Sequence, residues 1–112
     1  MPKSINPATG KSIKSYKSHT QKQVTEIIER ANECYSEWRT TSFSRRTKLM
    51  KKAAKILRSR KEKYGKLMTQ EMGKVYTSSM VEVEKCAWVC EYYAEHAANF
   101  LDDQLIKTDA KK

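Results

Sequence analysis

The stretch Met80–Leu101 constrains the fold more than any other part of the chain. Met80, Val83, Ala87, Cys90, Ala94, Ala97 and Leu101 recur at spacings of three and four, the repeat of one face of an α-helix. Cys86, Tyr93 and Phe100 form a second apolar line one position away, and Trp88, Val89 and Tyr92 add an opposite flank. A helix apolar over that much of its circumference needs cover from two layers. The spacing predicts a helix over 75–101, with Ser79 and Glu82 as a capping box, although its first turn could lie earlier, near Val75.

Two shorter helical regions precede it. Over 20–39, Val24, Ile27, Ile28, Ala31, Tyr35 and Trp38 share one face, with Glu26, Glu29, Arg30 and Glu33 on the other. Thr20 is placed to cap this helix, with Gln23 at the capping-box position. The region 43–72 follows a cap at Ser42 or Ser44. Its apolar set is Leu49, Met50, Ala53, Ile56 and Leu57, then Tyr64, Leu67, Met68 and Met72. Two turns of Arg and Lys separate the two halves, and Gly65 costs about 1 kcal/mol against Ala inside a helix. A bend or break near residues 59–64 is therefore expected, with Gly73 as the C-terminal stop.

Residues 4–17 read as a β-hairpin. Pro7 lacks a ladder donor and belongs at a strand end or in the turn, and Ala8-Thr9-Gly10 supplies turn chemistry. So small a hairpin is marginal alone and must lean on something else. The fold class expected is mainly α, with three or four amphipathic helices and this short N-terminal hairpin. One domain is the most that 112 residues allow.

A mean hydropathy of −0.82 is a thin supply of apolar side chains for a chain closing its own core. No apolar run is long enough to span a membrane, and the first twenty residues lack the apolar segment of a secretory signal peptide. Three cysteines, an odd number, rule out a complete internal disulfide framework and suggest a reducing, cytoplasmic setting.

The net charge of +10 is uneven. Eleven basic side chains and a single acid, Glu62, lie between Arg45 and Lys66. Such a stretch could meet nucleic acid or an anionic membrane, but a solvated helix face, or one whose acidic partner is missing from this chain, is the simpler reading. Cys86 and Cys90 at i and i+4 could offer two metal ligands, with His96, His19 or Cys34 to complete a set. No recognisable spacing supports that set, and small cysteines on an apolar stripe are usually buried. No phosphate-binding glycine loop and no zinc signature occurs. The residues therefore nominate no catalytic, cofactor-binding or metal position.

Four segments, in order, resemble the N-terminal region of the aldehyde dehydrogenase superfamily. They are Asn6-Pro7-Ala8-Thr9-Gly10, the helix end at Trp38, Arg46 with the Leu49–Leu57 helix, and Glu71-Met72-Gly73-Lys74. Glu82-Val83-Glu84-Lys85-Cys86-Ala87-Trp88, running into Tyr92-Tyr93-Ala94-Glu95, is most similar to the succinate-semialdehyde branch. Val75 stands where many relatives have proline. The resemblance covers about residues 4–109 and implies a partial aldehyde dehydrogenase fold. It also implies a parent enzyme that oxidises an aldehyde, succinate semialdehyde by the branch resemblance, to its acid with NAD or NADP. In that family a cysteine thiolate attacks the aldehyde and a glutamate activates water. Both lie beyond this segment, as do the cofactor motifs, and Cys34, Cys86 and Cys90 do not match the nucleophile. The expectation is an N-terminal fragment that binds no dinucleotide and is inactive alone. Its apolar faces over 80–101 would seek the rest of the enzyme or another copy. A small basic nucleic-acid-binding or interaction module is the alternative.

Overall fold

A computed structural model describes residues 1–109. Two strands, β1 (Lys3–Ile5) and β2 (Ser12–Ser15), precede four helices: α1 (Gln21–Trp38), α2 (Phe43–Ser59), α3 (Lys61–Met72) and α4 (Tyr76–Phe100). The mainly helical class with an N-terminal hairpin is the one the sequence indicated. Residues 103–109 follow α4 without helix or strand, and residues 110–112, like them part of a tail that reads as polar and frayed from the sequence, lie outside the described residues.

The strands are antiparallel, pairing Lys3 with Ser15 and Ser4 with Lys14, with an irregularity before Ile5. Pro7 sits in the turn, where the amides of Thr9 and Gly10 both donate to the Asn6 carbonyl. The hairpin leans on α3 and the turn after it. Ser4 Oγ is 2.7 Å from Glu71 Oε1, and the Pro7 ring lies against Gly73, where a Cβ would come within 3.0 Å of its Cγ.

Helix α1 begins with the expected capping box. Thr20 Oγ1 accepts from the Gln23 amide and Gln23 Oε1 accepts from the Thr20 amide. Ser42 caps α2 by accepting from the Arg45 amide. The expected break falls at Arg60, whose φ of −113° and ψ of 19° part α2 from α3. Gly73 closes α3 at a φ of 69°, a left-handed conformation that glycine adopts without strain.

The Ser79–Glu82 capping box does not form. Helix α4 begins after Val75, the earlier start the sequence allowed and four residues before the one a Ser79 cap would give, so Ser79 is inside it and fully buried. Its hydroxyl meets Thr69 Oγ1 at 3.3 Å, which satisfies a polar group that would otherwise be costly to bury. Glu82 instead pairs with Lys74.

The core is a seam of small residues where α4 crosses α2 and α3. Ala54, Gly65, Ser79, Val83, Ala87 and Ala94 are the buried residues. Ala54 and Ala87 are wholly inaccessible, and such residues let helix axes approach closely. Gly65 belongs to this seam, since a Cβ there would stand 2.7 Å from Met80 Sδ. Close approach, more than a bend, accounts for glycine at this position. Thr47 Oγ1 donates to the Ala94 carbonyl at 2.9 Å and ties α2 to α4.

An ion-pair cluster flanks the seam. Arg58 donates through Nε to Glu84 at 2.7 Å and forks onto both oxygens of Glu91, with Nη2–Oε2 at 2.8 Å. Lys61 reaches the second Glu84 oxygen at 3.3 Å. Hydrogen bonds from Arg58 hold both carboxyls below their usual value, with Lys61 adding to the effect on Glu84. The same bonds push the guanidinium further up.

The remainder is open. The radius of gyration is 20.5 Å, against about 13 Å for a compact chain of this length. The accessible surface is 9911 Å², against about 6,300 Å² for a compact 13 kDa protein. Helix α1 buries no residue, and α4 is covered on one side only. The two-layer sandwich expected for α4 is therefore half built.

Two outcomes follow. A carboxylate whose folded value lies below its unfolded one stabilises the fold above the unfolded value and loses that effect as pH falls through the folded one. Thermal unfolding of the chain should thus worsen as pH drops below about 4.5, and Arg58→Met should flatten that acid limb. Gly73→Ala should destabilise by about 1 kcal/mol in urea titration from the left-handed φ, with additional loosening of the hairpin through contact with Pro7.

Candidate functional site

The groups that could carry chemistry are dispersed. Cys34 is exposed on α1, Cys86 is exposed on α4 and Cys90 is half-buried one turn on. The expectation that the cysteine pair is buried on an apolar stripe fails for Cys86. It lies on the flank of α4 rather than in the seam, beside Lys74, Val81, Lys85 and Val89 along one groove. Among the described residues no group of three or more His, Cys, Asp or Glu side chains could hold a metal ion. His19 borders an open groove along α1. His96 stacks between Tyr92, at 4.5 Å between ring centres, and Phe100, at 6.0 Å.

The arrangement that does emerge is a pair of uncovered faces. One is the side of α4 away from α2 and α3. Val81 is 68% exposed, Trp88 56% and Phe100 57%, and an aromatic ladder runs Trp88, Tyr92, His96, Phe100 along it. Exposed apolar patches of this extent mark interaction surfaces. The ladder is aromatic, suited to burial against another apolar layer.

The second face is the apolar stripe of α1, where Ile28 is 63% exposed. Only the C-terminal end of α1 is anchored. Arg46 donates to the carbonyls of Trp38 and Arg39 and to Thr41 Oγ1, and its guanidinium sits over the Trp38 and Phe43 rings at 5.4 and 5.8 Å. Trp38, Phe43, Leu49, Met50, Tyr93 and Leu101 line a hollow of about 290 Å³ at this junction. The sequence singled out Arg46 only as part of a resemblance. Its anchoring role needed the geometry, because a lone arginine in a basic run carries no local signal.

The basic stretch is partly accounted for. Arg46, Arg58 and Lys61 are engaged by the protein itself, and the acids of α4 are the partners of the latter two. No helix among the described residues is long and apolar enough to cross a membrane.

Comparison with known proteins places these faces in a wider fold. The model of the aldehyde dehydrogenase family matches residues 2–112. A probable succinate-semialdehyde dehydrogenase [NADP(+)] of Synechocystis is 39% identical over 108 residues, covering 96% of this chain and 24% of the relative. A succinate-semialdehyde dehydrogenase [NADP(+)] of Mycobacterium leprae is also 39% identical over 100 residues, covering 89% and 22%. The crystal structure of the Streptococcus pyogenes succinic semialdehyde dehydrogenase in complex with NADP+ superimposes with a TM-score of 0.89 at 32% identity, covering 96% of this chain and 24% of that one. The chain thus spans about a quarter of the length of these relatives, and the match is to their N-terminal part. By the extent of the family match and the agreement of backbone, the chain belongs to the aldehyde dehydrogenase family.

Proposed function

We propose that this chain forms the N-terminal helical layer of an NADP-dependent succinate-semialdehyde dehydrogenase. Its role there is to scaffold the cofactor-binding domain rather than to perform chemistry. The observation that carries this reading is the uncovered face of α4. Its aromatic ladder, Trp88 to Phe100, lies on a helix whose inner side is already packed. Removing such a face from water is the strongest drive available to it, worth about 25 cal/mol per Å².

On this reading the rest of the dehydrogenase fold supplies the second layer against α4. The nucleophilic thiolate, the glutamate that activates water and the dinucleotide loop belong to that remainder. Cys34, Cys86 and Cys90 then have no part in hydride transfer, and their reduced state fits a cytoplasmic setting. The choice of NADP over NAD and of succinate semialdehyde over other aldehydes rests on the relatives. The parent enzyme, like others of its family, would work as an oligomer.

The test is the appearance of NADPH absorbance when the purified chain meets NADP+ and succinate semialdehyde. No turnover is expected from the chain alone. Adding the remaining three-quarters of the Synechocystis relative should restore turnover and shift Trp88 emission to the blue as that ring is covered. Turnover by the 112-residue chain alone would overturn the reading, and so would a remainder that leaves Trp88 emission unmoved.

A further inference from the structure

Helices α2 and α3 form a bent rod that α4 runs back along. Ser79 lies beside Thr69, Glu84 and Glu91 meet Arg58, and the Ala94 carbonyl meets Thr47. The rod therefore has one side turned to α4, marked by the buried Ala54 and Gly65, and one side turned away. At about 3.6 residues per turn, Lys48, Lys52 and Lys55 fall on the outward side of α2, and Lys63 and Lys66 on that of α3. All of these are exposed, and none takes part in an ion pair among the described residues. Arg58 and Lys61 are the cations that the acids of α4 reach. Glu62 is the single acid between Arg45 and Lys66, and it is unpaired as well.

This arrangement is unfavourable for the chain by itself. Lysines three and four apart are neighbours on a helix and repel one another, and an anion laid across them removes that repulsion. Ammonium groups without carboxylates are also costly to bury against protein. The lysine side thus stays in water when the α4 ladder gains its cover, which reaches the layer from the opposite direction.

The form of the charge selects the partner. Lys48, Lys52 and Lys55 make a row about 10 Å long, suited to an extended polyanion. A nucleic-acid duplex carries one phosphate per about 1.7 Å of its axis, so several face such a row at once. An anionic membrane fits less well, because an interfacial helix inserts a broad apolar face. Here Met50, Ala54 and Leu57 are turned to α4, and only Ile56 and Leu67 border the lysines. Single strands are held by stacking on aromatic rings, and Trp88, Tyr92 and Phe100 stand on the other side of the layer. We infer that the outward side of α2 and α3 binds the phosphate backbone of a nucleic-acid duplex through Lys48, Lys52, Lys55, Lys63 and Lys66. The inference is independent of the proposed function and uses a different face.

The experiment is fluorescence anisotropy of a labelled DNA duplex, and of an RNA duplex of the same sequence, titrated with the 112-residue chain over a range of salt. Neutralising four phosphates should give a slope of about −3.6 in log affinity against log salt, a loss of about a hundredfold between 50 and 200 mM. The tighter duplex names the source of the phosphates. Lys48→Ala with Lys52→Ala and Lys55→Ala should flatten the slope by about 2.7 and weaken binding at least tenfold, with helix content unchanged by circular dichroism. Lys11→Ala with Lys14→Ala and Lys17→Ala removes the same charge from the hairpin region and should leave both values in place. Equal losses in the two variants would overturn the inference by reducing it to bulk charge. So would no anisotropy change with either duplex at 50 mM salt, or capture by phosphatidylserine vesicles without duplex binding. Tighter binding of a single strand with quenching of tryptophan emission would also overturn it, by moving the contact to the α4 ladder.

Discussion

The close crossing of α4 over α2 and α3 is the constraint on which the rest depends. It is built from side chains with almost no volume, Ala54, Gly65, Ser79, Ala87 and Ala94, so its stability comes from contact distance rather than from bulk. Small residues at a helix crossing leave no room for substitution, because any added carbon must displace a neighbour across the seam. Arg58 then fixes the rotation of α4 by engaging Glu84 and Glu91, two turns apart on one face. The pair of carboxylates sets which side of α4 looks inward. The ladder of Trp88, Tyr92 and His96 looks outward as a consequence.

Much of this was legible before any coordinates. The Thr20–Gln23 box, the Ser42 cap, the break at Arg60 and the stop at Gly73 are local signals. Each depends on residues within a turn of one another, and backbone hydrogen bonding enforces them. What could not be read depends on partners distant in sequence. Ser79 with Glu82 has the pattern of a capping box, yet Thr69 offers Ser79 an interior hydroxyl and Lys74 takes Glu82, so the helix extends back to Tyr76. Gly65 looked like a helix weakness because its reason, Met80, is fifteen positions away. Cys86 looked buried because its apolar neighbours suggested a stripe, whereas the seam runs through Val83 and Ala87. The basic stretch read as a solvated face or as one whose acidic partner is missing from the chain, whereas for Arg58 and Lys61 the partners, Glu84 and Glu91, stand on α4 of the chain itself.

The functional site showed the same division. The expectation that no residue here takes a catalytic role came from motif content, and the geometry adds that two faces lack cover. They differ in kind. The α4 face is aromatic, while the α1 face is mostly aliphatic and has its carboxylates on the opposite side of the helix.

The hairpin's attachment has its own consequence. Ser4 reaches Glu71 across sixty-seven positions, and Pro7 meets Gly73, so the hairpin residues are made well before the surface that holds them. They must wait until α3 and its glycine stop have emerged. In the interval the chain ahead of α1 is unattached; afterwards the docked hairpin, joined to α1 by residues 16–20, limits how far its leading end can travel from the end that Arg46 holds. The order of synthesis thus gives the chain an early period in which α1 swings on one hinge, and a later one in which its reach is fixed.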